Sequence, residues 1–128
     1  NDSHGHAVGD SVLREIGAIL RNIARKTDLL ARLGGDEFGI ILYHTRTAQA
    51  MQFVDKLVDR VRAHAFVHRG IALKVRLSIG VAEVDASMQA PQALYHAADM
   101  ALYAAKHGGR DRTVVHVAAE ALPQSARA

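Results

Sequence analysis

Val12, Leu13, Ile16, Leu20 and Ile23 recur at spacings of three and four residues, which gathers them on one side of a helix. Asp10 or Ser11 is expected as its N-cap. Leu29, Ala31 and Leu33 then alternate with Leu30 and Arg32 as a short strand, and Gly34-Gly35 supplies the backbone freedom of a tight turn. Phe38 to Tyr43 reads as the returning strand, so residues 29–43 are expected as a hairpin with Gly34, Gly35, Asp36 and Glu37 at its tip. Met51, Val54, Leu57, Val58 and Val61 mark a second helix. From Ile71 to Ala82 apolar positions alternate strictly with small or charged ones, which predicts one long strand with a single buried face. Pro91 suits the first turn of a third helix. Its inner face would hold Leu94, Ala98, Ala101, Leu102 and Ala105, and Gly108 would close it. Thr113 to Val117 is expected as the last strand. The order α-β-β-α-β-α-β predicts an α/β (α+β) sandwich, a central mixed sheet flanked by helices.

The chain has 128 residues, which suits one domain, here expected over residues 1–117. The Ala-rich stretch 118–128, with Pro123, is expected as a flexible tail. Hydrophobic residues make up 49% and charged residues 23%, a balance that excludes a disordered chain. No apolar run reaches the roughly 18 residues of a membrane span, so no direct membrane insertion is expected. The absence of cysteine removes disulfides, thiolate zinc and a cysteine nucleophile, and fits a cytoplasmic setting. Sixteen Lys and Arg against thirteen Asp and Glu leave a charge of +3, which suits a polyanionic ligand. With only 5% aromatic residues and no Trp, the stacking platforms of a single-strand nucleic-acid binder are missing, and no nucleic-acid partner is expected. The eight histidines are scattered: His4 and His6 fall on an expected turn, and no His-Glu-x-x-His occurs. Ser78 has no nucleophile-elbow context.

Candidate chemistry concentrates at the hairpin tip. Asp36 and Glu37 can be read as a solvated turn, since turns favour such residues. The functional reading, which needs other phosphate-binding groups to converge on the tip, takes them as oxygen ligands for a hard cation beside glycines whose N–H groups approach a phosphate. Lys106 and Arg110 flank the end of the third helix, where they complement the helix dipole or bind phosphate. Asn1-Asp2-x-x-Gly5-His6-x-x-Gly9-Asp10 offers turn and cap residues, or groups that read a purine edge.

Together these segments resemble the GGDEF family of diguanylate cyclases. Five motifs carry the resemblance in the family's order: the opening Asn1 to Asp10 stretch; Arg25-x-x-Asp28; Gly34-Gly35-Asp36-Glu37-Phe38; Ser78-Ile79-Gly80-Val81; and Ala98-Asp99-x-Ala101-Leu102-Tyr103-x-Ala105-Lys106-x-x-Gly109-Arg110. The resemblance implies a ferredoxin-like, nucleotidyl-cyclase-like fold and the condensation of two GTP into cyclic di-GMP with release of two pyrophosphates. It implies that Asn1, His6 and Asp10 hold the guanine and ribose, that Gly35 presents backbone to the phosphates, and that Lys106 and Arg110 grip the triphosphate. Asp36 and Glu37 become the catalytic and metal-binding pair, with Mg²⁺ or Mn²⁺ as cofactor, and Asp36 the base toward the 3′-hydroxyl. Arg25 and Asp28 match a product-inhibition site for cyclic di-GMP, although the two could also form a plain salt bridge. One domain binds one GTP, so a homodimer is implied for catalysis. The family's first strand, with a metal-binding Asp, lies upstream of the position of Asn1. The chain as given has neither, so the expectation is that upstream residues, or a strand exchanged from a second copy, complete the sheet. The alternative function is a catalytically inactive module that binds cyclic di-GMP or GTP as a sensor. The enzyme reading requires the glycine bend, the cations closing the third helix and the opening segment to gather at one triphosphate.

Overall fold

The computed structural model describes residues 2–116, with side chains from Val8 onward. The elements run α1 (Asp2–Ile23), β1 (Leu29–Gly34), β2 (Glu37–Ile41), α2 (Thr47–Ala63), β3 (Phe66–His68), β4 (Ile71–Leu73), β5 (Ile79–Val81), α3 (Pro91–His107) and β6 (Thr113–Val115). The chain divides into two compact units, Asn1–Arg76 and Leu77–Ala128.

In the first unit, α1 and α2 bury part of the stripes that their periodicity foretold: Ile16 and Leu20 from one, Val54, Leu57 and Val61 from the other, with Phe66 of β3 closing the core, while Val12, Leu13, Ile23, Met51 and Val58 are half-buried. Polar links fix how the two helices align. Glu15 Oε1 lies 2.7 Å from His64 Nε2, and Arg60 donates to Asn22 Oδ1 at 3.0 Å, so positions rise along α1 as they fall along α2. The helices are antiparallel. At the start of α2 the Gln49 side chain accepts the Arg46 N–H at 2.9 Å, which satisfies a donor that the helix leaves over. The expected start of α1 is corrected: the helix begins at Asp2, and Asp10 and Ser11 lie inside it rather than at its cap.

The second unit is a β–α–β arrangement. β5 and β6 pair in parallel, with Ile79 opposite Thr113 and Val81 opposite Val115, and α3 is the crossover between them. Pro91 occupies the first turn of α3, as its fixed φ favours. The buried face is Ala97, Ala101 and Ala105. Leu94, Ala98 and Leu102, expected inside, are only half-buried. Of the expected last strand, Thr113–Val115 forms, and Val117 lies outside the described residues, as does the stretch 118–128.

The fold is α/β with mixed strand pairing, and the sheet is present as three two-stranded pieces: β1-β2 and β3-β4 antiparallel, β5-β6 parallel. The long strand expected over 71–82 is corrected accordingly. Its first three residues pair with β3, a strand that the sequence reading did not anticipate, and residues 79–81 pair with β6. Residues 74–78 between them have no strand partner among the described residues. Alternation specifies which side chains share a face, but a strand also needs backbone partners, and the two ends of this run find different ones. Ile71 is 66% exposed, so the burial that its alternation implied is absent there. A two-residue loop, Arg69-Gly70, joins β3 to β4 with φ of 53° and 78°, both in the left-handed region that such hairpins require.

Candidate functional site

The site begins with a defect in a hairpin. β1 and β2 pair regularly from Leu29↔Ile41 to Arg32↔Phe38, and the register then shifts so that Gly34 faces Glu37. Leu33 is the extra residue of a bulge, a device that bends the strand and re-aims the side chains beside it. Gly34 (φ 139°) and Gly35 (φ 47°) make the bend, and Gly34 occupies a conformation that a side chain would strain. Asp36 is exposed at the tip, and Glu37 is half-buried at the first position of β2. The hairpin lies against α1 through Phe38, whose ring covers Gly17; a methyl group on Gly17 would meet it at 3.6 Å.

Arg32 faces Phe38 across the ladder and reaches the same helix. Its Nη2 donates to the Gly35 carbonyl at 2.8 Å and stands 3.9 Å from Asp10 Oδ1. The structure therefore brings Asp10, Gly35 and the Asp36-Glu37 pair to one end of the first unit. His6 lies in the N-terminal part of α1, with its side chain outside the described residues, and Asn1 is also outside them.

Arg25 and Asp28 form a second cluster in this unit, just beyond α1. The Arg25 backbone N–H donates to Asp28 Oδ2 at 2.8 Å and its Nη2 to Oδ1 at 2.9 Å. The same Nη2 reaches the Tyr43 carbonyl at 3.0 Å and Thr45 Oγ1 at 2.8 Å, which ties the pair to the segment after β2. The Asp28 side chain is 1% exposed and that of Arg25 56% exposed. Burial alone would raise the Asp28 carboxyl, but the hydrogen bonds and charge of Arg25 together hold it below the usual carboxylate range. Beside them opens a pocket of about 430 Å³, lined by Arg25, Asp28, His44, Thr45, Phe53 and Lys56 among others. The plain salt bridge is present, and it leaves the guanidinium accessible.

Lys106 and Arg110 belong to the second unit. Arg110 is set by the way α3 ends: its N–H donates to the Ala105 carbonyl at 2.9 Å and the Gly108 N–H to Ala104 at 2.8 Å. Gly109 (φ 120°) permits the reversal, and Arg110 and Asp111 follow at φ 62° and 48°. Gly108 closes the helix as expected.

Among the described residues no three His, Cys, Asp or Glu side chains cluster as a ready-made metal cage. The donor set at the tip nevertheless fits a hard divalent cation. Mg²⁺ is commonly held by one or two carboxylates with waters and substrate phosphates supplying the rest, and Asp36 and Glu37 are adjacent carboxylates on an accessible bend. Sequence reasoning missed Arg32, treated only as an alternating strand position. Its place two residues before Gly-Gly on the strand entering the bend was the available signal.

The family model described as "Diguanylate cyclase, GGDEF domain" matches residues 1–112, and the chain belongs to this family. It is 37% identical over 128 residues to the probable diguanylate cyclase DgcE of Escherichia coli K12, covering all of this chain and 12% of that protein. The chain thus spans about an eighth of that relative's length. The solved GGDEF domain of PA1120 (YfiN or TpbB) from Pseudomonas aeruginosa superposes with a TM-score of 0.83 at 37% identity, over 92% of this chain and 74% of that one. The GGDEF domain of DgcB from Caulobacter crescentus, solved in complex with c-di-GMP, gives 0.78 at 27% identity, over 91% and 69%. No helix among the described residues is long and apolar enough to cross a membrane.

Proposed function

We propose that this domain is a diguanylate cyclase that condenses two GTP molecules into cyclic di-GMP and two pyrophosphates. The observation that carries the reading is the seating of the Gly-Gly-Asp-Glu bend beside Asp10 of α1, joined through Arg32, in a chain of the GGDEF family. In each half-reaction a 3′-hydroxyl oxygen attacks the α-phosphorus of the other GTP. The bond to pyrophosphate breaks as the new ester forms, and the hydroxyl proton passes to Asp36. Asn1, His6 and Asp10 hold the guanine and ribose, the Gly35 backbone approaches the phosphates, and Lys106 and Arg110 neutralise the triphosphate. Asp36 and Glu37 would hold the divalent cation, Mg²⁺ or Mn²⁺, which when bound neutralises charge on the phosphate oxygens. Two domains face each other as a homodimer, since each supplies one nucleotide to the other. The reaction is placed in the cytoplasm, where GTP is available.

Arg25 and Asp28 are assigned to product inhibition. An accessible guanidinium, pre-oriented by a buried carboxylate and bordering a pocket, suits the forked recognition of a guanine edge or a phosphate. The same cluster favours a second reading, a cyclic di-GMP sensor without turnover. Incubating the protein with GTP and Mg²⁺ separates the two. Cyclic di-GMP made by the wild type and lost in Asp36→Asn supports the enzyme. No product, with cyclic di-GMP binding that Arg25→Ala abolishes, supports the sensor.

A further inference from the structure

We propose that Arg32 is a positioning residue of the nucleotide site, which holds the base-binding end of α1 and the phosphate-binding bend at a fixed separation. The proposal deepens the cyclase reading and rests on it. One guanidinium meets both parts: its Nη2 donates to the Gly35 carbonyl at 2.8 Å and stands within ion-pair range of Asp10 at 3.9 Å. The placement follows from the local fold. Arg32 is the last regularly paired residue before the Leu33 bulge, directly opposite Phe38, whose ring rests on Gly17 of α1. Asp10 lies seven residues before Gly17, two helical turns along the same face and roughly 10 Å nearer the N-terminus. The side chain that accompanies Phe38 toward the helix is thereby aimed along it to Asp10. The bend gains a tether that a free glycine pair lacks: a methyl group on Gly34 or Gly35 would find nothing within 4 Å, so neighbouring side chains do not confine the backbone there.

The tether is a poor stabiliser of the fold and a good restraint on the site, and that contrast makes the role testable. The Arg32 and Asp10 side chains are 50% and 65% exposed, and an ion pair in that setting adds little to folding. Its geometric value is different, because displacing a substrate-holding group by a fraction of an ångström is felt in binding. Lysine offers a point charge where arginine offers a planar fork, so it should keep one contact and lose the bridge.

The test measures GTP kinetics with Mg²⁺ and thermal melting for wild type, Arg32→Ala, Arg32→Lys, Asp10→Ala and the Arg32→Ala/Asp10→Ala double variant. Arg32→Ala is expected to raise KM for GTP roughly tenfold with a smaller change in kcat. Its melting temperature should stay within about 1 °C of wild type. Arg32→Lys should fall between the two, and the double variant should lose less than the sum of the two single losses, because the Arg32–Asp10 link is removed only once. An unchanged KM, strictly additive losses, or a KM defect that tracks a drop in melting temperature would overturn the positioning role while leaving the cyclase reading intact. A wild type that makes no cyclic di-GMP would remove both.

Discussion

Gly80 of β5 lies against the backbone of α3 with no room for a side chain. A methyl group there would stand 2.4 Å from the Ala98 carbonyl oxygen, 2.4 Å from the Leu102 nitrogen and 2.9 Å from the Leu102 Cα. Comfortable carbon contacts are about 3.5–4.0 Å, so Gly80→Ala must part strand and helix by about 1 Å. All three opposing atoms are helix backbone, and no rotamer change can make way. Overpacking of a core costs about 1–3 kcal/mol, and a clash with backbone belongs at the upper end. At roughly 4 °C per kcal/mol for a chain of this size, the melting temperature should fall by about 12 °C, read by circular dichroism or calorimetry. Gly9→Ala is the control. It lies within α1, and a methyl group there meets nothing within 4 Å. Alanine is better than glycine inside a helix by about 0.5–1 kcal/mol, so this variant should melt about 2–4 °C higher. A Gly80→Ala protein melting within about 2 °C of wild type would refute the argument that backbone contact sets the β5–α3 spacing.

Two further outcomes follow from the Arg25–Asp28 cluster. Asp28→Asn should lower stability at pH 7 by about 1–2 kcal/mol, allowing for screening of the exposed Arg25. Because the folded carboxyl titrates below its unfolded value, the wild-type advantage is full above about pH 4 and fades as pH falls through the lower folded pKa. Denaturant unfolding of both proteins at about pH 7 and about pH 2.5, on either side of the ordinary carboxylate pKa, checks this, and a gap that does not narrow contradicts it. Arg25→Ala in the active protein should relieve inhibition by cyclic di-GMP and leave the initial rate largely unchanged. Progress curves with and without added product measure it, and a rate collapse like that of Asp36→Asn would contradict the assignment.

Helix existence was legible because it depends on periodicity, which the chain displays. The buried positions Ile16, Leu20, Val54, Leu57 and Val61 are among those that the spacing marked. The start of α1 was not, because Asp10 and Ser11 have good capping chemistry and yet continue a helix already begun at Asp2. The 71–82 run shows the larger limit. Its alternation is real, but strand identity requires partners, and β3 and β6 claim only its two ends. The Arg69-Gly70 dipeptide after Phe66-Val67 was a hairpin signal that the longer pattern masked. At the site, the Gly-Gly-Asp-Glu bend was legible from composition and order. The role of Arg32 was not, since its contact with Asp10 joins positions twenty-two residues apart that meet only once the hairpin lies against α1.

The alanine face of α3 has a mechanical corollary. Long aliphatic side chains can swing between rotamers and absorb a shift in their surroundings, whereas Ala97, Ala101 and Ala105 have no such slack. That face of α3 therefore has little side-chain slack, and Gly80 of β5 meets the neighbouring Ala98 and Leu102 backbone directly, with no side chain of its own between strand and helix.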